Sequence, residues 1–343
     1  MASLVAAALI NDAFGDPGLY IDFRFARRAL LFDLGEMQAV SQRKLLRVSH
    51  AFVSHTHLDH FNGFDRLLRA CLGRPMSLRL VGPPGFIDRV DHKLHAYTWN
   101  LIAQNTVDFI IAAAEFDSVQ LREASEFHSR DAFQRRDVSP PNLPAGVVLD
   151  EPDFQIRSTA LDHGGIPSLA FALVEKLGVN VWKARLDDMG LATGPWLARA
   201  KQAVRRGEAD ETPLTALGRV NGGWREVEVL LGDLKKSALQ IGPGEISAYV
   251  VDTSFNDKNT ARIVELARNA DRLFIETVFL DEDKKIAARK HHLTAQQAGR
   301  IAREAGAKQL VPFHFSPRYQ EREDQLRQEA ANAFLGIGGR NPG

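Results

Sequence analysis

The segment Ala51–Leu68, AFVSHTHLDHFNGFDRLL, constrains this chain more than any other. An apolar run leads into it and reads as a short buried strand. His55, His57, Asp59 and His60 then follow within six positions. His55 and His57 are two apart at a strand end, so alternation directs both to the same side. Asp59 and His60 fall on the turn that opens a helix. In that helix Phe64, Leu67, Leu68 and Cys71 repeat at i, i+3, i+4 and i+7. Imidazole and carboxylate suit zinc, which takes nitrogen ligands at roughly 2.0–2.1 Å. A metal would offset the desolvation that four bare polar groups suffer beside a buried strand. The bland alternative, a solvated histidine-rich turn, does not explain four ligand-type residues in one short stretch.

Four donors so close together cannot enclose two ions, so other ligands must come from elsewhere. Three further strand-like runs end in ligand-type residues. FQIRSTALDH reaches His163, ISAYVVDT reaches Asp252, and QLVPFHFS carries His314. RALLFDLGE (Arg28–Glu36) is another buried strand by the same reading. Helical patterns alternate with the strands, over Thr260–Ala270 and Thr294–Ala307 among others. Alternation of this kind predicts an α/β fold, with sheets covered by helices.

Composition narrows the function classes. The 343 residues are 45% hydrophobic and 25% charged, enough for a sizeable core. Net charge is zero, so a polyanion would need a local patch to hold it. Cys71 is the only cysteine, which excludes an intrachain disulfide and fits a reducing, cytoplasmic compartment. The apolar start MASLVAAALI has no basic residue before Arg24, so it reads as a first strand rather than a signal peptide. No apolar run approaches the length of about 18 residues that spans a membrane.

Two stretches break the rhythm. Arg122–Asp153 is polar and carries SPPNLP, which predicts a long surface loop. Lys176–Gly242 reads as an insertion with its own partial helix, PWLARAKQAVRR. Its early part, Lys176–Arg206, holds seven Lys/Arg against two Asp/Glu. On composition a solvated helix and a polyanion-binding arm are equally good readings. His92 and His95 read as a solvated helix face, and Trp99, Trp182 and Trp196 as packing residues.

HTHLDH resembles the HxHxDH signature of the metallo-β-lactamase superfamily. Within it the chain resembles ribonuclease Z, the tRNA 3′-end processing endonuclease. The stretches that carry this resemblance are LLFDLGE, VGPPGF (Val81–Phe86), LDHGGIPSLAFAL (Leu161–Leu173), YVVDT (Tyr249–Thr253), HHLTAQQAG (His291–Gly299) and PFHFSPRY (Pro312–Tyr319). The chain departs from the family pattern at GEMQA, at Val251 before the aspartate, and in its first strand turn.

The resemblance implies an αββα sandwich in a single domain over 1–343, with halves over roughly 1–173 and 243–335. It implies an inserted substrate-binding arm over 174–242. It implies two Zn2+ per chain, with Mn2+ or Fe2+ as alternatives. His55, His57 and His163 would hold one ion, Asp59, His60 and His314 the other, and Asp252 would bridge them. Asp59, His292 and Glu276 would sit at the chemistry, in which a metal-activated hydroxide attacks phosphorus. Lys183, Arg185, Arg199, Lys201, Arg205 and Arg206 would contact substrate. The partners implied are precursor tRNA or another nucleic-acid phosphodiester, and a second copy in a homodimer. A phosphodiesterase of the same fold acting on small or cyclic nucleotides is the alternative.

Overall fold

The computed structural model describes residues 4–24, 26–102, 107–220 and 222–337. The chain divides into two compact units. The larger comprises 5–149, 156–173 and 246–343. It is built on two sheets. The first has eight strands in chain order: Val5–Leu9, Leu19–Phe23, Ala29–Phe32, Val48–Phe52, Met76–Gly82, Phe109–Phe116, Leu121–His128 and Arg135–Val138. Its middle strands pair parallel and its outer strands antiparallel. Burial follows that division. The central strand Ala29–Phe32 is buried at every position, as a parallel strand covered on both faces must be. The edge strand Arg135–Val138 is largely exposed and charged, which blocks edge-to-edge pairing.

The second sheet runs, in spatial order, Leu310–Phe313, Arg272–Glu276, Ile246–Val250, Ile166–Glu175, Phe154–His163 and Val147–Asp150. The two sheets face each other through aromatic rings. Phe32 and Phe52 of the first lie 5.2 Å and 5.7 Å from Phe171 of the second, and Phe32 lies 5.8 Å from Tyr249. Helices cover the outer faces. Phe64–Cys71 and Phe86–His95 bury their apolar sides with the first sheet, and Ala295–Glu304 packs on the second. The result is an αββα sandwich.

Three expectations need correction. Arg122–Asp153 is not a long loop. Nearly half of it lies in the strands Leu121–His128, Arg135–Val138 and Val147–Asp150. Strands at or next to a sheet edge, solvated on one side, are rich in charge, and that charge reads as loop in the sequence. Second, the halves do not divide near residue 173. The strands over 147–175 pair with the later part of the chain. Third, the helix expected over Thr260–Ala270 runs Asp257–Leu266, because the Asn256 side chain accepts from Asn259 N and starts it earlier.

The smaller unit comprises 1–4, 150–155 and 174–245. It holds more than a partial helix. Gly178–Val181 pairs antiparallel with Leu239–Gly242, and Pro213–Val220 with Gly223–Leu230. The helices Lys183–Asp188, Trp196–Arg205 and Leu231–Ser237 accompany them. Leu186, Ala200, Leu214, Leu231 and Leu234 are buried in a core of its own.

Candidate metal centre

Every ligand-type residue expected at the site falls at or just beyond the carboxyl end of a strand, or on the turn and short helix that follow it. This is where α/β sheets place their ligands, because loops there can vary while the strands stay fixed. His55 and His57 follow Val48–Phe52. His57 then caps the short helix Leu58–Phe61, which carries Asp59 in its first turn and His60 in its last. His163 ends Phe154–His163, and Asp252 and His314 each follow a parallel strand. Asp33, Asp252 and His314 take φ of 58°, 40° and 59°. A left-handed backbone at a residue other than glycine costs about 1–3 kcal/mol and persists only where its surroundings fix it.

The side chains converge on Asp252. His55 Nε2 and His60 Nε2 lie 3.4 Å from its Oδ2, and His163 Nε2 lies 3.5 Å away. His314 Nδ1 lies 3.1 Å from Oδ1. Asp59 Oδ2 lies 3.4 Å from His314 Nε2 and 3.5 Å from His60 Nε2. His55, His57, His163 and Asp252 form one group whose donor atoms lie within 4.8 Å of one another, and Asp59, His60 and His314 form a second.

These contacts are not hydrogen bonds. His55 Nε2, His60 Nε2, His314 Nδ1 and Asp252 Oδ1 are all buried without a hydrogen-bond partner. Orphaned buried polar atoms are costly. Two ligands at the zinc distance in tetrahedral geometry stand about 3.4 Å apart, which is the separation seen here. The donor set, its spacing and its unsatisfied atoms fit a metal-binding site.

The opposite ring nitrogens are anchored. His55 Nδ1 lies 3.0 Å from Ser54 Oγ, His60 Nδ1 2.9 Å from Asp33 Oδ2, and His163 Nδ1 2.9 Å from the His291 carbonyl. Such partners fix ring orientation and leave Nε2 to the metal. Asp33 is the hub. It is fully buried and accepts from Ser54 N at 2.6 Å, from Ser54 Oγ at 2.9 Å and from Tyr249 Oη at 3.1 Å. The sequence reading gave Asp33 no role. Its signal was an aspartate closing the buried run ALLF.

Electrostatics divide the histidines. Burial pushes His55 down, and His163 down to about 4. Burial also works against the charged form of His60 and His314. At His60 the carboxylates of Asp252 and Asp33 outweigh it and hold the ring well above its ordinary value. At His314 Asp252 does the same, lifting the pKa to about 9. Burial would raise Asp252, yet His60 and His314 hold it well below the carboxylate range. Burial likewise works upward on Asp59, and its contacts with His314 and His60 hold it low.

His292 stands beside this cluster. Its Nδ1 is 2.8 Å from Glu276 Oε2, and the other Glu276 oxygen accepts from Thr253 N at 2.8 Å. His291 has no such pairing with a carboxylate among the described residues. Its ring lies 3.2 Å from Ser254 Oγ and would be met by any Cβ at Gly164, at 2.5 Å. A cavity of about 510 Å³ opens on the cluster, lined among others by Phe14, Asp59, His292, Phe279, Lys290 and Pro317.

The basic residues of the 174–242 stretch fare unevenly. Lys183 and Arg206 are exposed, and Arg185 is exposed beside the Trp182 ring. Arg199 makes a two-pronged pair with Glu208, at 2.9 and 2.6 Å. Arg205 is half-buried and donates to the Leu177 carbonyl. Lys201 is buried at 7% exposure, and burial lowers its pKa. Lys201 is therefore a packing residue and not the phosphate contact expected of it, because the helix Trp196–Arg205 turns that face into the core of its own unit.

Comparison with known proteins follows the same line. No family model matches the chain. A ribonuclease Z of Deinococcus radiodurans is 28% identical over 337 residues, covering 97% of this chain and 96% of the relative. A ribonuclease Z of Thermobifida fusca is 31% identical over 316 residues, covering 91% and 83%. The chain belongs to the ribonuclease Z family. Among solved structures, the metallo-β-lactamase fold protein YhfI of Bacillus subtilis superposes with a TM-score of 0.54 at 16% identity, over 96% of this chain and 93% of that one. That likeness concerns the fold alone, and it agrees with the αββα sandwich. The ribonuclease Z relatives and the hydrolase fold make this chain a metal-dependent hydrolase.

Proposed function

We propose that the chain is a zinc-dependent endoribonuclease that removes the 3′ extension of precursor tRNA. The observation that carries this is the convergence of five histidines on Asp252, with Asp59 against two of them and the His292–Glu276 pair beside them. Membership of the ribonuclease Z family supports the substrate class.

Two zinc ions would supply Lewis acidity toward the phosphoryl oxygens and activation of a water molecule. His55, His57 and His163 are assigned to one, Asp59, His60 and His314 to the other, and Asp252 to both. His292 holds a proton for the leaving group. Burial disfavours its charge, but the Glu276 carboxylate outweighs burial and raises its pKa. With Nδ1 bonded to Glu276, Nε2 is free to donate to the departing sugar oxygen. General acid help of this kind gives about 10²–10⁴-fold. Glu276 is fully buried and tied to Thr253 N, so it fixes the imidazole to the backbone that also carries Asp252.

Lys183, Arg185 and Arg206 are assigned to the body of the tRNA, with Arg199 and Arg205 as weaker contributors because their charges are already engaged. A homodimer goes with the family resemblance, and a monomer mass by light scattering would rule it out. A reducing, cytoplasmic setting goes with the lone Cys71, which is buried. No helix among the described residues is long and apolar enough to cross a membrane.

The deciding assay offers the purified, zinc-loaded protein a 3′-extended tRNA and bis(p-nitrophenyl) phosphate side by side. Release of the 3′ extension is the expected result. Hydrolysis of the small ester or of cyclic nucleotides with no cut in tRNA would turn the reading to a small-nucleotide phosphodiesterase.

A further inference from the structure

Among the described residues that line the cavity over the metal centre, only Lys290 carries a Lys or Arg charge, against the carboxylates of Asp16, Asp59 and Asp252. Lys290 is exposed and has no ion-pair partner among the described residues. It ends the helix Lys284–Lys290, KKIAARK, which holds Lys284, Lys285, Arg289 and Lys290 and no acidic residue. All four are exposed. Lys284 lies 4.0 Å from Asp281, whereas Lys285 and Arg289 are unpaired among the described residues. Lys285 and Arg289 share one helix face, about 6 Å apart along the axis. His291 then takes a left-handed backbone, φ 61°, which stops the helix and turns His292 inward. The helix thus leads from solvent to within two residues of His292.

Lys285, Arg289 and Lys290 form a run of cations without an ion-pair partner among the described residues. Many of the molecule's surface charges are paired, including Arg199 with Glu208, Lys235 with Asp210, and Arg318 with Asp283. A run of unpaired cations repels itself, and a counter-charge from outside the chain relieves that repulsion. A flexible polyanion entering the cavity supplies one phosphate after another.

We propose that the helix Lys284–Lys290 is a phosphate track for the single-stranded nucleic acid that flanks the scissile bond. Lys290 holds the phosphate next to the one being cleaved, at the cavity edge. Arg289 and Lys285 hold phosphates farther out. The inference rests on the phosphodiesterase reading of the metal centre, and it names a second set of substrate contacts distinct from those in 174–242.

The test measures binding without cleavage. The probe is a fluorescein-labelled, single-stranded uridine 12-mer with phosphorothioate linkages, titrated by anisotropy into zinc-loaded protein across a salt series. The variants are Lys285→Gln/Arg289→Gln/Lys290→Gln and the charge-preserving Lys285→Arg/Arg289→Lys/Lys290→Arg. Unchanged metal content and thermal midpoint verify folding. Loss of three single-strand phosphate contacts should reduce the slope of log Kd against log salt by about 2. Affinity at low salt should fall at least tenfold for the Gln variant and less than threefold for the charge-preserving one. An unchanged slope overturns the proposal, as does equal loss in both variants. So does a KM rise on bis(p-nitrophenyl) phosphate equal to that on RNA, which would move Lys290 to the scissile phosphate. The two readings fail separately. A wild-type protein that binds the 12-mer through this helix but leaves tRNA uncut defeats the processing assignment alone. One that cuts tRNA with the slope unaltered defeats the track alone.

Discussion

Asp33 is the residue on which the site's geometry depends most. It takes four hydrogen-bond contacts in a fully buried position, and one of them sets the tautomer of His60. Asn at this position keeps the shape but brings an NH2 group against donors. Asp33→Asn is therefore expected to weaken metal affinity by about 10–100-fold, read by chelator competition. At His292 the expectation is the reverse. His292→Ala should reduce turnover by about 10²–10⁴-fold and leave the metal content as it was, and an emptied site on metal analysis would contradict that role. The pH dependence follows from sign. Burial disfavours the charged ring, but Glu276 outweighs it and raises the His292 pKa, so the proton is kept to higher pH than on a free imidazole and is lost as pH rises through the raised value. Glu276→Gln removes the raising charge, and the alkaline limb of kcat should move to lower pH. The members of the candidate cluster were legible in the sequence because histidines and aspartates stand out when they close strands. Asp33 was not, because one buried carboxylate at a strand end looks like any turn residue until Ser54, His60 and Tyr249 are in place around it.

At the scale of elements, close approaches hold the cluster together. Gly63 starts the helix Phe64–Cys71 directly against the turn after Asp33, and a Cβ there would lie 2.1 Å from the Gly35 carbonyl oxygen. Gly63 N donates to the Leu34 carbonyl at 2.8 Å, so the two segments cannot part without breaking that bond. Gly63→Ala should cost about 1–3 kcal/mol by chemical denaturation and should also lower metal affinity, because the shift carries His60 away from Asp33. A loss of stability with metal affinity intact would separate the glycine from the site. Apolar periodicity identified the buried elements, since central strands such as Ala29–Phe32 are apolar at each position. It missed Leu121–His128 and Arg135–Val138. Outer strands are stabilised by pairing along a ladder rather than by burial, and pairing partners leave no mark in a local window.

For the whole molecule, the question is whether the 174–242 stretch serves the chemistry or only the substrate. The unit that contains it has its own apolar core, and several of its charges are satisfied within it. Removing Lys176–Arg206 alone would cut through that core, because Leu186, Ala200 and Val204 belong to it. The pairing shows a cleaner excision. Gly178 and Gly242 are cross-strand partners in the antiparallel ladder, so their Cα atoms lie about 4.5–5.5 Å apart. A two-residue Gly-Ser link between them can replace 179–241 without stretching the chain. No proposed metal ligand falls in the excised residues, nor do His292, Glu276 or Asp33. The excised protein should keep its metal and hydrolyse bis(p-nitrophenyl) phosphate within about threefold of the intact chain, since that ester needs only the metal centre. KM for precursor tRNA should rise at least tenfold. The salt dependence of KM should flatten if the contacts proposed for Lys183, Arg185 and Arg206 are lost. Equal loss on both substrates would show that the unit supports the catalytic fold, and an unchanged KM for tRNA would remove its substrate role.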